Sequence, residues 1–306
     1  MFIINFKKNR SMKYFLVLIL FSPLSMIAQV PINVVDTVGS FSKATANSYR
    51  VQIPEAKLKS IDKNWTSYLK SLSTGKVQNI NGEYWATWVV YKNISTNPIN
   101  IYSKLLENNQ GVQLTAWFTA NDSVYFSKTE NIDQNTASEK FVRDFAITEY
   151  KRIVQGQLDA GKEVQQKLED KLAKAIKGEE KKIKKISEDN RSIDRNLNAI
   201  KLNEREQATQ SNLIASQKSL VEKETGEDAE RLKTEQQRLT AYEKDMKKLV
   251  KTNEKLQSAI DKWHKNIRDS KRAMEQSRKD QEGLKAQIEG QKSTVQKIQD
   301  KLNNIK

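Results

Sequence analysis

The chain has 306 residues, of which 37% are hydrophobic, 30% are charged and 8% are aromatic, and its formal net charge at pH 7 is +15. It contains no cysteine and a single histidine, which excludes a disulfide scaffold and any cysteine-based metal or redox site. A multi-pass membrane protein is also excluded, because the sequence has only one apolar run and that run is short.

Residues 1–28 have the pattern of a secretory signal peptide. The segment carries four basic residues and no acidic residue, continues into the apolar run Tyr14–Phe21 and ends at the small residue Ala28. Because this run is too short to span about 30 Å of hydrocarbon, the pattern predicts cleavage after Ala28. Met1 and Met12 both fit as the start. We therefore expect export to the periplasm or the extracellular space, with no integral membrane segment after cleavage.

Charge and aromatic content divide the rest of the chain near residue 150. Residues 29–150 carry 12 basic and 11 acidic residues and four of the five tryptophans, whereas residues 151–306 carry 37 basic and 27 acidic residues. The first part has the composition of a globular domain and the second that of a long helix. We assign 29–44 to an N-terminal linker, 45–150 to an α/β head domain and 151–306 to a coiled coil.

In the head, the alternation in Ser48–Ile53 predicts a strand, and Pro54 suits the first position of a helix over 55–72, where apolar residues recur every three or four positions. The strands predicted next are Lys76–Ile80, Glu83–Tyr91, Ile99–Glu107 and Val112–Ala120, with a short edge at Val124–Phe126. Asn81-Gly82 is typical of a hairpin turn, and Thr136–Glu139 fits a capping box that starts the last helix. The order β-α-β-β-β-β-α predicts an α+β head with a mostly antiparallel sheet.

Apolar residues in the tail recur with a seven-residue period. When position a is set at Ile176 and every seventh residue up to Leu302, and position d three residues later, 24 of the 38 a and d positions are apolar. A sustained seven-residue period predicts a left-handed coiled coil.

Two arrangements of this coiled coil stay open. Apolar a and d positions are sparse over 204–228, and Gly226 lies within that segment, which favours a hairpin with its turn at 222–230. Against the hairpin stand Asn190 and Asn253, both at a positions. In a parallel homodimer each asparagine pairs with its own copy and fixes the register.

The residues that usually carry catalysis are scarce. The single histidine, His264, lies on the predicted coil, and the head offers no Ser/His or Cys/His pair, no glycine-rich phosphate loop and no cluster of ligands for a transition metal. We therefore expect a protein that is not an enzyme and holds no cofactor or metal. A hydrolase that uses a pair of head carboxylates is kept as an alternative.

The aromatic strand over 83–91 has two interpretations. Alternation places one set of side chains on one face (Tyr84, Ala86, Trp88 and Val90) and a second set on the other (Trp85, Thr87, Val89 and Tyr91). A central strand covered on both sides explains this pattern, and the frequent burial of aromatic residues favours it. The alternative is an exposed platform that binds a glycan or an unfolded chain. Its residues are Trp85, Trp88, Tyr102 and Trp117.

The basic tail raises the question of its partners. Lys181–Lys185 is the densest basic cluster, but acidic residues are interspersed throughout the tail, as on an ordinary solvated helix face. Export also removes the usual nucleic-acid partners, so we expect no nucleic acid. The expected partners are the chain itself, as hairpin or homodimer, and anionic envelope polymers or outer-membrane proteins.

Several segments of the head, together with the Lys/Glu-rich coil that follows it, are similar to segments of other exported proteins. These segments are Trp65-x-x-Tyr68-Leu69, Glu83-Tyr-Trp-Ala86, Ser95–Tyr102, Ala116-Trp-Phe118 and Phe145–Tyr150. The chain resembles uncharacterised exported proteins of Gram-negative, Bacteroidetes-type bacteria that join a small α/β head to a C-terminal coiled coil. The match covers most of residues 45–223. It implies export and a two-part layout, and it contains no catalytic motif.

These observations lead to two functional hypotheses. The first is a non-enzymatic envelope or periplasmic protein, with the head as a binding module and the coiled coil as a spacer or self-association element. The second is a periplasmic holdase-type chaperone with coiled-coil arms.

Overall fold

The computed structural model describes residues 31–121, 124–223 and 229–306. The predicted signal peptide, 1–28, and the predicted turn residue Gly226 lie outside these ranges. Within them, an antiparallel sheet is followed by two long helices, as the sequence predicts.

The described residues form two compact units. One consists of the residues up to Lys162 together with Ser293–Lys306, and the other is Glu163–Lys292. The predicted boundary at residue 150 therefore omits part of the first unit, because the last 14 residues of the chain belong to it as well.

The sheet of the first unit has seven strands, and all its pairings are antiparallel. The strands are β1 Val34–Ser40, β2 Thr45–Pro54, β3 Val77–Ile80, β4 Glu83–Val89, β5 Ile99–Asn108, β6 Gly111–Asn121 and β7 Val124–Tyr125. Their order in the sheet is β1-β2-β6-β5-β4-β3, and β7 pairs with the C-terminal end of β6. The helices are α1 Leu58–Leu72, α2 Ile132–Lys223 and α3 Ala229–Asn303.

The first strand corrects the prediction of a linker at 29–44. β1 pairs with β2 along its whole length, from Val34 opposite Val51 to Ser40 opposite Thr45. It is an edge strand, so only one side of its backbone is paired. Val35 and Val38 are 56% and 68% exposed, whereas Asp36 is half-buried, so the alternation typical of a half-buried strand is absent.

Two helix starts also differ from the prediction. Pro54 is the last residue of β2, Glu55 follows with a left-handed φ of 57°, and α1 begins only at Leu58. α2 begins at Ile132, so Thr136 lies inside the helix and its hydroxyl donates to the Ile132 carbonyl at 3.0 Å. The predicted capping box is therefore wrong.

The predicted alternation along β4 breaks at a β-bulge. The register with β5 shifts between Ala86 and Val89, and Trp88 within the bulge has a left-handed φ of 56°. As a result Val89, rather than Trp88, follows Tyr84 and Ala86 into the core.

The main core lies between one face of the sheet and the helices. α1 contributes Ile61, Trp65 and Leu69, α2 contributes Phe141, Val142, Phe145, Ala146, Tyr150, Val154 and Leu158, and the end of α3 contributes Ile298 and Ile305. The indole Nε1 of Trp65 donates to Ser103 Oγ at 2.7 Å, so its one polar group is satisfied. The C-terminal residues thus complete the core of the head.

In the second unit, α2 and α3 pack against each other in opposite directions. Ile193 shares a buried cluster with Ile260 and Ile267, and Gln217 Nε2, further along α2, donates to the Glu235 carbonyl, which is earlier in α3. The least exposed residues of both helices recur in alternating steps of three and four.

The phase of this packing agrees with the predicted heptads in α3 and differs in α2. In α3 the least exposed residues are those at a and d, whereas in α2 they are those at d and at g, one residue before a. The expectation that the a positions of α2 are buried is therefore wrong: Ile176, Ile183 and Leu197 are 41%, 50% and 42% exposed. Asn190 is exposed and Asn253 is half-buried.

Candidate functional site

Three of the four predicted platform residues meet on the sheet face that lies opposite the main core. Trp85 pairs with Tyr102, and Tyr102 pairs with Trp117, across β4, β5 and β6. Residues paired across neighbouring strands point to the same face, so these three side chains lie together.

The loop between β1 and β2 covers this aromatic cluster. The Phe41 ring stacks on Tyr102 with a centroid distance of 5.0 Å and lies 4.9 Å from the Trp117 ring. Tyr102 and Trp117 are 1% and 2% exposed. They are therefore part of a second, smaller core, and no ligand can stack on them while Phe41 is in place.

Glu83 fastens this loop to the sheet. Its carboxylate accepts hydrogen bonds from the Ser42 amide at 3.0 Å and from the Ser42 hydroxyl, and it pairs with Lys104 at 2.9 Å. Burial raises the pKa of the Glu83 carboxyl, but the bonds from Ser42 and Lys104 outweigh burial, and the pKa lies below its ordinary value. The loop is thus held by a charged latch.

Lys43 completes the cover over the cluster. Its ammonium lies 4.4 Å from the Trp85 ring centroid and 4.9 Å from that of Tyr102, and it is 3.1 Å from the Tyr102 hydroxyl. Cation–π contacts of this kind stabilise a cover of the ring faces. Trp85 is consequently half-buried.

Trp88, the fourth predicted residue, lies apart from the other three. It is 63% exposed, although the other head tryptophans are buried or half-buried. Its left-handed φ is a genuine outlier for a bulky side chain. Bulges of this type re-aim one side chain of a strand, and here the side chain that is turned outward is an indole.

Hydrogen bonds on both sides hold the backbone of Trp88 in this conformation. The Trp88 amide donates to Asn100 Oδ1 at 3.2 Å, and its carbonyl accepts from both the amide and the hydroxyl of Thr74 at 3.0 Å. Gly75 permits this close approach, since a Cβ there would lie 2.6 Å from the Thr87 carbonyl oxygen. The exposed indole is therefore presented by a fixed backbone.

A second group of polar residues ties the end of α3 to the sheet. The Glu55 carboxylate accepts from Gln157 at 2.7 Å and from the Tyr150 hydroxyl at 3.3 Å, and it forms an ion pair with Lys301. Burial raises the pKa of Glu55, but Lys301 and Gln157 outweigh it and keep the pKa below its ordinary value. This cluster is structural.

Sequence analysis missed Phe41, Lys43 and Glu83 as members of the aromatic site. The first two lie in the segment assigned to a linker, and Glu83 is one of several scattered head acids. The pairing of β1 with β2 brings the loop with Phe41 and Lys43 to the site, and the pairing of β4 with β5 places Glu83 opposite Lys104. Recognition of a hairpin over 34–54 was the one available signal.

Neither metal nor membrane chemistry is indicated by the described residues. Across 31–121, 124–223 and 229–306, no three side chains of the metal-binding types come together in a group that could hold an ion. No helix in that part of the chain combines the length and apolar character that crossing a membrane requires. His264 lies exposed on α3.

No known family model matches the sequence, and no curated protein matches it either. The role of the head therefore has to follow from its own side chains. Among the predicted site residues, Trp88 is the one that offers a large exposed apolar surface.

Proposed function

We propose that the protein is a non-enzymatic component of the bacterial envelope whose head binds an anionic envelope glycan through Trp88. An exposed indole packs well against the C–H face of a sugar ring. Lys76, which is exposed, directly follows Gly75, and Gly75 lies against the Trp88 ring. An exposed lysine next in sequence to the glycine that contacts the indole suits a polysaccharide that carries carboxylates. The N-terminal sequence pattern supports the envelope location.

The single observation that carries this proposal is that the fold keeps Trp88 in an unfavourable state. A left-handed backbone costs a side-chain-bearing residue roughly 1–2 kcal/mol, and because Trp88 is 63% exposed, its indole gains only part of the burial energy of a core tryptophan. Glycine or asparagine would fit the same φ with less strain. Strained and exposed residues of this kind concentrate at binding sites.

Co-sedimentation with purified peptidoglycan sacculi tests the glycan proposal. We expect the full chain to pellet with sacculi, Trp88→Ala to bind at least tenfold more weakly, and Lys76→Ala to bind more weakly with a smaller dependence on salt. Leu106→Ala is the matched control, because Leu106 is an apolar head residue that is 61% exposed. Unchanged binding by Trp88→Ala, or no binding by the unmodified chain, would overturn the proposal.

Urea unfolding separates a binding role of Trp88 from a structural one. Since glycine relieves the left-handed strain, we expect Trp88→Gly to raise the free energy of unfolding by about 1 kcal/mol. Trp85→Gly should lower it, because the Trp85 ring packs edge-on against Tyr102. A loss of stability in Trp88→Gly would mean that the indole is retained for packing.

We further propose that α2 and α3 form an antiparallel two-stranded coiled coil within one chain. The support is the alternation of three- and four-residue steps between their least exposed residues. In this role the helices act as a self-association element or a spacer.

A periplasmic holdase is the second candidate, and exposed apolar side chains on basic helices favour it. Leu202, Leu213, Leu220 and Val250 are all at least two-fifths exposed. Suppression of the aggregation of an unfolded outer-membrane protein at equimolar amounts, weakened by Leu213→Asp with Leu220→Asp, would support the holdase. Aggregation at the rate seen without the protein would eliminate it.

A further inference from the structure

The a positions of α2 form a row that lies beside its contact with α3. Ile176, Ile183 and Leu197 occupy this row at heptad spacing, with Asn190 at the remaining step. All four are exposed, the three apolar ones by 41–50%. We call these four residues the a-row.

The contact with α3 instead uses a polar row of α2. Lys182, Asp189 and Gln217 stand at g positions and face α3. Gln217 donates to the Glu235 carbonyl and Lys182 to the Ala273 carbonyl. The buried Asp189 Oδ2 accepts no hydrogen bond from the described residues, which is unfavourable.

In an isolated pair of helices, burial of the apolar a positions of α2 would be favoured over burial of its polar g positions. Burial of Ile183 and Leu197 in place of polar g residues would gain apolar contact and would remove the unpaired Asp189 oxygen. The d row of α2 already holds Ile186, Ile193 and Ile200. A helix with isoleucine or leucine at both a and d favours assemblies of more than two helices.

We propose that the a-row binds the a-row of a second copy of this chain, antiparallel and about a two-fold axis at Asn190. The three central positions of the row are self-complementary about that point, since Ile183 and Leu197 lie seven residues to either side of it, whereas Ile176 lies outside the paired apolar part, opposite the partner's Glu204. Ile183 then packs against the partner's Leu197, and Asn190 faces the partner's Asn190. A single asparagine in an apolar row selects one register. The predicted self-pairing of Asn190 is thus retained, in the opposite orientation.

Charge along the flank of the a-row matches this pairing. Glu180 and Lys201 both stand at e positions, 10 and 11 residues from Asn190 in opposite directions. The antiparallel arrangement therefore brings Glu180 beside the partner's Lys201, and symmetry produces the pair twice. The inference rests on the proposed self-association role of the helices and specifies its geometry, but none of these residues belongs to the proposed glycan site, so failure of the dimer would leave the glycan proposal standing.

Sedimentation equilibrium on the full chain tests for the dimer. We expect a dimer whose dissociation constant rises at least tenfold in Ile183→Asp and in Leu197→Asp. Leu202→Asp is the control, because Leu202 is an exposed leucine of α2 outside the a-row and should leave the dimer intact. Far-UV circular dichroism should show equal helix content in all three variants, since each replaced residue is at least two-fifths exposed.

Single cysteines in this cysteine-free chain test the orientation. Under mild oxidation we expect Asn190→Cys to form a disulfide-linked dimer by itself. Ile183→Cys should not, because its two copies are 14 residues out of register, or about 20 Å apart along the helix. Mixed Ile183→Cys and Leu197→Cys should give the cross-linked heterodimer.

Three outcomes would overturn the inference. One is a protein that stays monomeric at all concentrations tested, even if its a-row binds an unfolded outer-membrane protein. Another is a dimer that Ile183→Asp and Leu197→Asp leave unchanged. The third is self-cross-linking of Ile183→Cys, which would establish a parallel dimer.

Discussion

At the scale of single residues, Glu83 decides whether the aromatic cluster of the head is covered. It holds the loop that places Phe41 on Tyr102, and bonds from Ser42 and Lys104 keep its pKa below the ordinary value of 4.5. A carboxyl with a lowered folded-state pKa stabilises the fold above its unfolded pKa, and this stabilisation is lost as the pH falls through the folded pKa. The stability contributed by Glu83 is therefore present at pH 7 and lost in the range below about 4.5.

We expect Glu83→Gln to be less stable than the unmodified chain at pH 7 by about 1.5–3 kcal/mol, the value of a hydrogen bond to a charged group. The difference between the two proteins should shrink as the pH is lowered below 4.5. Urea unfolding followed by tryptophan fluorescence measures it. Glu130→Gln, at an exposed position, is the control. A difference in unfolding free energy between Glu83→Gln and the unmodified chain that stays constant with pH would contradict the role of the Glu83 carboxylate in holding the loop.

Residue-level prediction from sequence succeeded where the backbone is regular. The strands predicted over 99–107 and 112–120 are regular in the structure, where Tyr102 lies opposite Trp117. Prediction failed at Trp88, since a bulge adds a residue and reverses the alternation. It also could not supply Phe41, because that residue reaches the cluster through a loop rather than a strand.

At the scale of elements, the contact between α2 and α3 depends on a few buried isoleucines. Ile260 is buried against Ile193. We expect Ile260→Ala to lower the free energy of unfolding of the helices by about 2–4 kcal/mol. Val250→Ala, at an exposed position of the same helix, should cost less than about 1 kcal/mol. Urea unfolding followed by circular dichroism at 222 nm compares them, and equal losses would mean that Ile260 makes no tertiary contact.

The seven-residue period predicted these helices but could determine the phase of only one. In α3 the apolar residues occupy a and d and face the partner helix. In α2 the period is equally clear, yet the contact uses d and g. The period of the sequence determines the spacing of the apolar residues along the helix. Which neighbouring heptad positions are buried with them depends on the packing of the partner helix. Gln217, which bonds to the α3 backbone, shows how a polar g position can be accommodated.

At the scale of the whole molecule, the head contains both the beginning and the end of the described chain. Its core includes Ile298 and Ile305 from the end of α3, and Lys301 pairs with Glu55 at the end of β2. Sequence analysis predicted a sheet followed by long helices, which is confirmed. It could not predict the return of α3, because the heptad pattern continues without change through Ser293–Leu302.

The return of α3 makes the head sensitive to Ile305, which lies 251 positions after Pro54 at the end of β2. Ile305 is buried in the head core, whereas the next residue, Lys306, is exposed. We expect Ile305→Ala to lower the free energy of unfolding of the head by about 2–4 kcal/mol, since it removes buried methyl groups and leaves a cavity. Lys306→Ala should have no measurable effect. Urea unfolding followed by near-ultraviolet circular dichroism reports on the head, because four of the five tryptophans lie in it. Two outcomes have different meanings. If Ile305→Ala lowered the helix content but left the near-ultraviolet unfolding transition unchanged, α3 would be a separate element that only touches the head. If the far- and near-ultraviolet transitions shifted together, the sheet and the end of α3 would fold as one cooperative structure.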